Sequence, residues 1–299
     1  MTPVRPANSP ISITDLQQVS TLDLHPDVNA YGLGMIPQHM VEEVLTDVDV
    51  VDDGNGPVVA LAHGAGGGVR ENFGSLIDSR RERFRFVGPY YPGTASTPNS
   101  EGPLDISTLA DQVVAAGIRA GGESFPVVGL SLGAAVAVTA AARHPEHVSA
   151  LVLTVGLAHP EAQSAAFTQI WRTLAAHEEW ETLAALMIYS VGTESSLATI
   201  SAADYAATVE AVRSAYPAGG SWQAELASRT DVTALFEDID VPVLVVVGGQ
   251  DRIILPNTAR SFSAISGARV IEYPDAGHIF TPAQSTRWAD DVFDFIDQL

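Results

Sequence analysis

Short runs of β-branched and other apolar residues alternate with longer stretches of helical periodicity along most of this chain. Strands that alternate with helices are joined by right-handed crossovers, and they form a mostly parallel sheet with helices on both faces. We therefore predict an α/β fold, with a doubly wound, mostly parallel sheet. The strands predicted after residue 56 are 57–62, 84–91, 125–130, 148–155, 241–247 and 270–273.

The alternation is interrupted once, by a stretch of about 80 residues that is helical throughout. It runs from residue 157 to about residue 236 and contains large apolar side chains such as Trp171 and Met187. Loops at the carboxyl ends of parallel strands carry function, so we predict a helical cap rather than additional structural packing. The expected organisation is an irregular arm at 1–37, a core at 38–156 and 237–299, and a cap at 157–236.

A loosely alternating run precedes the first parallel strand. It covers residues 41–51 and is followed by Asp-Asp-Gly-Asn-Gly at 52–56. Because aspartate, asparagine and glycine in a cluster mark a turn, this pattern predicts a hairpin between 41–51 and 57–62.

Charge and composition exclude several classes of protein. The 299 residues include 36 acidic and 15 basic side chains, a formal net charge of −21, and no cysteine. This charge repels phosphate backbones and anionic lipids, so we expect neither a nucleic-acid nor a membrane partner. The absence of cysteine excludes disulfides, thiolate metal sites and a cysteine nucleophile. No apolar run approaches the roughly 20 residues of a membrane span and no export signal is evident, so we expect a cytoplasmic protein.

The segment Gly129-Leu130-Ser131-Leu132-Gly133 has the form G-x-S-x-G and joins a predicted strand to a predicted helix of small residues. Glycines on both sides of the serine allow a sharp turn, which projects the Ser131 hydroxyl from the edge of the sheet. The positive end of the following helix lies beneath it. Ser131 is therefore the candidate nucleophile, and a structural serine in a tight turn is the alternative.

A serine nucleophile needs a base, and the base needs a carboxylate to orient it. His278 lies in the loop after the last predicted strand, and Asp251 follows the strand at 241–247. Because the carboxyl ends of parallel strands meet at one edge, we expect both side chains near Ser131. Asp275 is the alternative acid, although it lies only three residues before His278.

A glycine-rich loop, His63-Gly64-Ala65-Gly66-Gly67-Gly68, follows the strand at 57–62. Backbone N–H groups exposed by glycine can point at a developing oxyanion or cradle a phosphate. The loop has neither the lysine of a P-loop nor the G-x-G-x-x-G pattern of a dinucleotide site. We therefore favour the oxyanion interpretation.

These motifs resemble those of the α/β-hydrolase family over about residues 40–299. The family's order along the chain is nucleophile, acid and base, which matches Ser131, Asp251 and His278. The resemblance implies that the N–H groups of Ala65 and Leu132 form the oxyanion hole and that the helical insertion is the family's cap. It implies no metal and no organic cofactor.

The resemblance also implies a serine hydrolase that cleaves a carboxylic ester, thioester or lactone through an acyl-enzyme on Ser131. The same triad supports C–C bond hydrolysis, cofactor-free perhydrolysis and acyl transfer, and a chain that kept only the pocket would be a non-catalytic ligand receptor. These alternatives stay open on the sequence alone.

The cap pattern is apolar and contains few basic residues. Ligand sites are mostly apolar with a few polar anchors, so we expect a small-molecule substrate with an uncharged, apolar acyl group. Trp171 and Met187 are the expected substrate contacts. Arg172 or Arg213 would be the anchor if the acyl group instead carried a carboxylate.

Overall fold

Seven strands form one sheet in the computed structural model, which describes residues 38–299. The predicted arm at 1–37 lies outside the described residues. The spatial order is β1-β3-β2-β4-β5-β6-β7. Only β1 is antiparallel to its neighbour, which confirms the predicted mostly parallel sheet. The strands are β1 (Val50–Gly54), β2 (Val58–Ala62), β3 (Arg85–Pro89), β4 (Phe125–Leu130), β5 (Val148–Thr154), β6 (Val243–Gly248) and β7 (Arg269–Tyr273).

Helices connect the strands, and five of them interrupt the alternation between β5 and β6. Before β5 lie α1 (Gln38–Val44), α2 (Val69–Arg80), α3 (Ile106–Arg119) and α4 (Leu132–Arg143). The insertion contains α5 (Ala162–Ala176), α6 (Trp180–Val191), α7 (Glu194–Leu197), α8 (Ala202–Ala215) and α9 (Gly220–Arg229). After β6 lie α10 (Pro256–Arg260) and α11 (Pro282–Ile296), and 3-10 helices occupy Thr233–Asp238 and Ser261–Ala264.

Alternate residues of β2 belong to two separate apolar cores. Val59 and Leu61 pack with side chains of α2 and α11, whereas Ala60 and Ala62 belong to a core that includes α3 and α4. Because successive side chains of a strand point to opposite faces, the sheet is covered by helices on both sides. The doubly wound arrangement is thereby confirmed.

The predicted hairpin between 41–51 and 57–62 is wrong. Residues 38–44 form α1, and β1 pairs with β3 instead of β2. All five residues of β2 are buried, and parallel strands β3 and β4 occupy both of its edges. β1 carries Asp52 and Asp53 and is mostly half-buried or exposed, which suits the edge of the sheet that it occupies.

The insertion between β5 and β6 corresponds in position to the predicted cap, although its status as a separate domain stays a prediction. The helices of the described chain, residues 38–299, lack the combination of length and apolar character that a membrane crossing requires.

Candidate active site

Ser131 stands at the junction of β4 and α4 in a strained conformation. Its φ of 57° and ψ of −120° lie in a region that residues other than glycine rarely adopt. Three backbone hydrogen bonds maintain it. Ser131 N–H donates to the Thr154 carbonyl at 3.0 Å, and the Ser131 carbonyl accepts from the N–H groups of Leu157 and Ala134, both at 3.1 Å. A Cβ at Gly133 would lie 1.9 Å from the Ala62 carbonyl oxygen, so the close approach of β2 explains that glycine.

Three predicted side chains meet at the carboxyl edge of the sheet. His278 Nε2 lies 3.0 Å from Ser131 Oγ, and His278 Nδ1 lies 2.7 Å from Asp251 Oδ2. All three residues are buried, with Ser131 the most exposed at 9%. The chain Ser131–His278–Asp251 therefore has the geometry through which an imidazole can take a proton from a hydroxyl while a carboxylate fixes the opposite nitrogen.

The loops that carry Asp251 and His278 support each other. Asp251 Oδ1 accepts from the N–H groups of Ile253 and Ile254, at 2.8 and 3.0 Å, which fixes the carboxylate plane. Gln250 N–H donates to the Ala276 carbonyl at 2.8 Å and joins the two loops. The structure does not bring Asp275, the alternative acid, to the site, since it is exposed and its side chain has no hydrogen-bond partner among residues 38–299.

The glycine-rich loop lies close to Ser131, since a Cβ at Gly64 would be 3.1 Å from Ser131 Cβ. Gly64 N–H donates to Asn72 Oδ1 and Gly66 N–H donates to Gln223 Oε1, both at 2.8 Å. Ala65 N–H, between them, has no acceptor in the described part of the chain.

Leu132 N–H is similarly without an acceptor among the described residues. It is the first N–H of α4, and the first four N–H groups of a helix have no intrahelical partner. The Ser131 side chain makes no capping hydrogen bond to them. The two N–H groups expected to bind an oxyanion are therefore both without acceptors beside Ser131 in the described part of the chain.

His63, at the start of the glycine-rich loop, is fully buried. Its Nδ1 lies 2.8 Å from the Gly64 carbonyl, and its Nε2 accepts from Tyr91 N–H at 2.9 Å, so Nδ1 carries the proton of a neutral ring. Burial lowers the pKa of His63 from 6.5 to about 4. The residue joins the ends of β2 and β3 and does not touch the triad residues by hydrogen bond.

We expect this buried neutral His63 to make the protein sensitive to acid. Below pH 6.5 His63 of the unfolded chain binds a proton that the native His63 takes up only near pH 4. The contribution of neutral His63 to stability is therefore full above pH 6.5 and is lost as the pH falls from 6.5 to about 4. The loss amounts to roughly 3 kcal/mol over the interval. Urea unfolding at pH 7, 6, 5 and 4 measures it.

Two variants separate His63 from the other titrating groups. His63→Gln should unfold at lower urea concentration at pH 7 but lose less further stability towards pH 4. His177→Gln changes an exposed histidine and should retain the wild-type pH dependence. An equally steep loss in His63→Gln would contradict the assignment.

A cavity of about 610 Å³ opens in front of Ser131 and His278. Trp171 and Met187, the expected substrate contacts, both line it. Of the other large apolar side chains in the insertion between β5 and β6, Phe167 and Ile188 line the cavity, whereas Trp180 is 36% exposed.

Charged groups are scarce around this cavity. Among the described residues that line it, Glu71 is the one carboxylate and no arginine is present. Arg172 and Arg213, the alternative carboxylate anchors, are not part of the lining. Arg213 is instead paired with Glu210 on an exposed surface. No group of three or more His, Cys, Asp or Glu side chains within residues 38–299 is arranged to hold a metal ion.

Sequence reasoning missed three polar residues that shape the site. Asn72 and Gln223 accept the hydrogen bonds of the glycine-rich loop, and the Tyr216 hydroxyl accepts from Trp171 Nε1 at 2.9 Å. Each stands in an ordinary helical or loop sequence with no motif around it, so no signal in the sequence identifies them.

Comparison with known proteins agrees with this geometry. Residues 57–281 match the family described as the alpha/beta hydrolase fold. The chain is 30% identical over 234 residues to a pyrrolizixenacetamide deacetylase of Xenorhabdus hominickii, covering 76% of this chain and 86% of that protein. It is 28% identical over 251 residues to a pimeloyl-(acyl-carrier protein) methyl ester esterase of Neisseria meningitidis, covering 80% of this chain and 76% of that protein.

A solved structure with a similar fold is the enol-lactonase from Burkholderia xenovorans. Its TM-score is 0.71 at 21% identity, covering 84% of this chain and 96% of that one. At this identity the likeness concerns the fold alone.

Proposed function

Because the chain belongs to the α/β-hydrolase family, we propose that it is a serine hydrolase that cleaves a carboxylic ester, thioester or lactone through an acyl-enzyme on Ser131. The observation that carries the proposal is the hydrogen-bonded series from Ser131 Oγ through His278 to Asp251, at 3.0 and 2.7 Å. Ser131 and His278 line the cavity. The activities named for the two relatives, a deacetylase and a methyl ester esterase, support removal of an acyl group or cleavage of an ester.

In the first half of the reaction Ser131 Oγ attacks the substrate carbonyl while His278 Nε2 takes the hydroxyl proton. Asp251 keeps the Nδ1 proton of His278 on the far side of the ring, which leaves Nε2 free to accept, and it stabilises the imidazolium that forms. His278 then gives its proton to the leaving oxygen or sulfur as the bond to the acyl carbon breaks.

In the second half water replaces the leaving group. His278 accepts a proton from the water as its oxygen attacks the acyl carbon, and Ser131 recovers its proton when the acid leaves. Negative charge develops on the carbonyl oxygen in both halves. The N–H groups of Ala65 and Leu132, which have no acceptor among the described residues, are the donors proposed to bind it.

The substrate is proposed to be a small molecule with an uncharged, largely apolar acyl group. Trp171 and Met187 provide apolar wall, and the described residues of the lining include no lysine or arginine. A carboxylate in this cavity would lose its hydration without gaining a cationic partner, which is unfavourable.

The test is an assay panel with the purified protein. Neutral carboxylic esters, thioesters and lactones should be hydrolysed, and mass spectrometry of a rapidly quenched reaction should show one acyl group on the peptide that contains Ser131. Preferential cleavage of a β-diketone, peracid formation or transfer to an added alcohol would assign the same residues to C–C hydrolysis, perhydrolysis or acyl transfer. Ligand binding without turnover of any substrate would identify a receptor.

The acyl preference is expected to be visible in kcat/KM. Neutral acyl esters should exceed matched esters with a terminal carboxylate on the acyl chain by about 10-fold or more, because burying an unpaired charge costs several kcal/mol. The net charge of −21 also repels anionic substrates, but salt screens this long-range effect. Measurement at two ionic strengths therefore separates it from the effect of the cavity on kcat/KM. Preference for the anionic series at high salt would reveal a basic anchor and contradict the prediction.

A further inference from the structure

We propose that Gln223, a side chain of the cap, is a positioning residue that aims the Ala65 N–H at the oxyanion by holding Gly66. The inference rests on the proposed function, because it assigns Gln223 a part in the same oxyanion hole. It adds a residue 157 positions along the chain from the loop that it positions.

Gln223 is fully buried, and its amide is used at both ends. Oε1 accepts from Gly66 N–H at 2.8 Å, and Nε2 donates to Thr94 Oγ1 at 2.8 Å and more weakly to the Pro92 carbonyl at 3.3 Å. A backbone N–H can only donate and a carbonyl can only accept. The amide atom that faces Gly66 N–H is therefore the oxygen, and the one that faces the Pro92 carbonyl is the nitrogen.

The helix that carries Gln223 is itself docked on the core. Gly219 N–H, just before α9, donates to the Gly93 carbonyl at 3.1 Å. A Cβ at Gly219 would lie 1.9 Å from the Pro92 carbonyl oxygen, so the two backbones touch here without side chains between them. This contact places the first turn of α9 beside the loop after β3 and directs Gln223 towards Gly66.

Gly66 is held from a second side by the cap. Its φ is 72°, and a Cβ there would lie 2.6 Å from the Trp171 ring. The residue adjacent to Ala65 thus lies between the Trp171 ring and the Gln223 amide. Two cap side chains determine its position.

Oxyanion catalysis depends on donors placed about 2.7–3.1 Å from the charged oxygen before the reaction begins. Without the Gln223 amide, the partly buried Gly66 N–H loses its acceptor, and the loop relaxes to find another. Ala65 N–H then moves away from the oxyanion, which is bound in the transition state more strongly than in the ground state. Loss of Gln223 therefore affects kcat and leaves KM nearly unchanged.

The experiment compares Gln223→Met with wild type on a neutral acyl ester that wild type hydrolyses. We expect kcat to fall about 10- to 100-fold, less than the roughly 10²–10³-fold loss on removing a donor outright. KM should change by less than about twofold, and the pH profile of kcat/KM should keep its shape because His278 and Asp251 are untouched. A fluorophosphonate should label Ser131 completely but more slowly.

The matched control is Gln112→Met, which removes another buried glutamine from α3, away from the cavity lining. Its kcat should equal that of wild type. Thr94→Val removes the hydroxyl that holds Gln223 Nε2 and should lower kcat in the same way by a smaller factor, whereas Thr94→Ser should restore it.

Unchanged kcat in Gln223→Met overturns the proposal. So does a rise in KM with kcat retained, which indicates a pocket contact, or a shifted pH profile, which indicates an effect through His278. If Gln223→Met does not fold, as judged by circular dichroism, equal kcat in Thr94→Val and Thr94→Ser overturns it. Failure of the proposed function is distinguishable, because wild type would then hydrolyse none of the esters, and both proposals would fall together.

Discussion

Replacement of Ser131 by alanine is expected to lower kcat by about 10⁴-fold or more on any ester that the wild-type protein hydrolyses. Alanine removes the atom that attacks the carbonyl and leaves the binding groups and the backbone donors, which alone give a residual acceleration of roughly 10³–10⁴ over the uncatalysed reaction. Ester hydrolysis followed over long incubations, with the reaction stopped at intervals, measures the loss of kcat.

The fold should survive this substitution. Ser131 Oγ has one hydrogen bond among the described residues, to His278, so the loss of stability is expected to be small. Thermal melting of Ser131→Ala checks this. Ser190→Ala removes a hydroxyl of similar burial, 6% against 9% exposure, outside the cavity lining and should keep full activity. Activity above about a tenth of wild type in Ser131→Ala would disprove the role of Ser131 as nucleophile.

Asp251→Asn is expected to lower kcat by about 10⁴-fold, as the equivalent change does in a serine protease triad. Asp251 Oδ1 accepts from two backbone N–H groups, so the oxygen of an asparagine side chain will take that place and its NH₂ will face His278 Nδ1. The imidazole must then carry its proton on Nε2. This tautomer cannot accept the proton of Ser131.

The pH profile and a neighbouring aspartate make this prediction specific. Asp275→Asn changes the exposed acid three residues before His278 and should keep nearly all of the activity. Because the wrong tautomer of His278 cannot accept the Ser131 proton, raising the pH until hydroxide takes that proton instead should recover part of the rate. A greater loss of kcat in Asp275→Asn than in Asp251→Asn would show that Asp251 is not the acid of the triad.

The order of strands and helices was predictable because it is written in local periodicity. β4 and α4 have the predicted bounds, 125–130 and 132–143. The same rule, that functional residues follow parallel strands, predicts that Ser131, Asp251 and His278 lie at one edge of the sheet. Their meeting within 3.0 Å in the structure follows from the shared direction of β4, β6 and β7.

What was not predictable depends on contacts between distant segments. Residues 52–56 have the composition of a turn, but β3 lies between β1 and β2 in the sheet. This pairing order is not visible in the sequence of either strand alone. Helical periodicity likewise does not show which part of an apolar face meets a cavity. Trp171 lines it while Ile170, its neighbour in sequence, is 47% exposed.

The hydrogen bonds between the helical insertion and the loops around Ser131 restrict how this enzyme's specificity can be redesigned. The insertion touches the machinery on two sides, through Gln223 on Gly66 and through the Val191 carbonyl, which accepts from Ile279 N–H at 3.4 Å beside His278. Exchanging the whole insertion for that of a relative would remove both bonds together with the pocket wall. Substitutions at single positions of the cavity wall, such as Met187, keep both bonds. We therefore expect libraries of single substitutions to change substrate preference while preserving turnover.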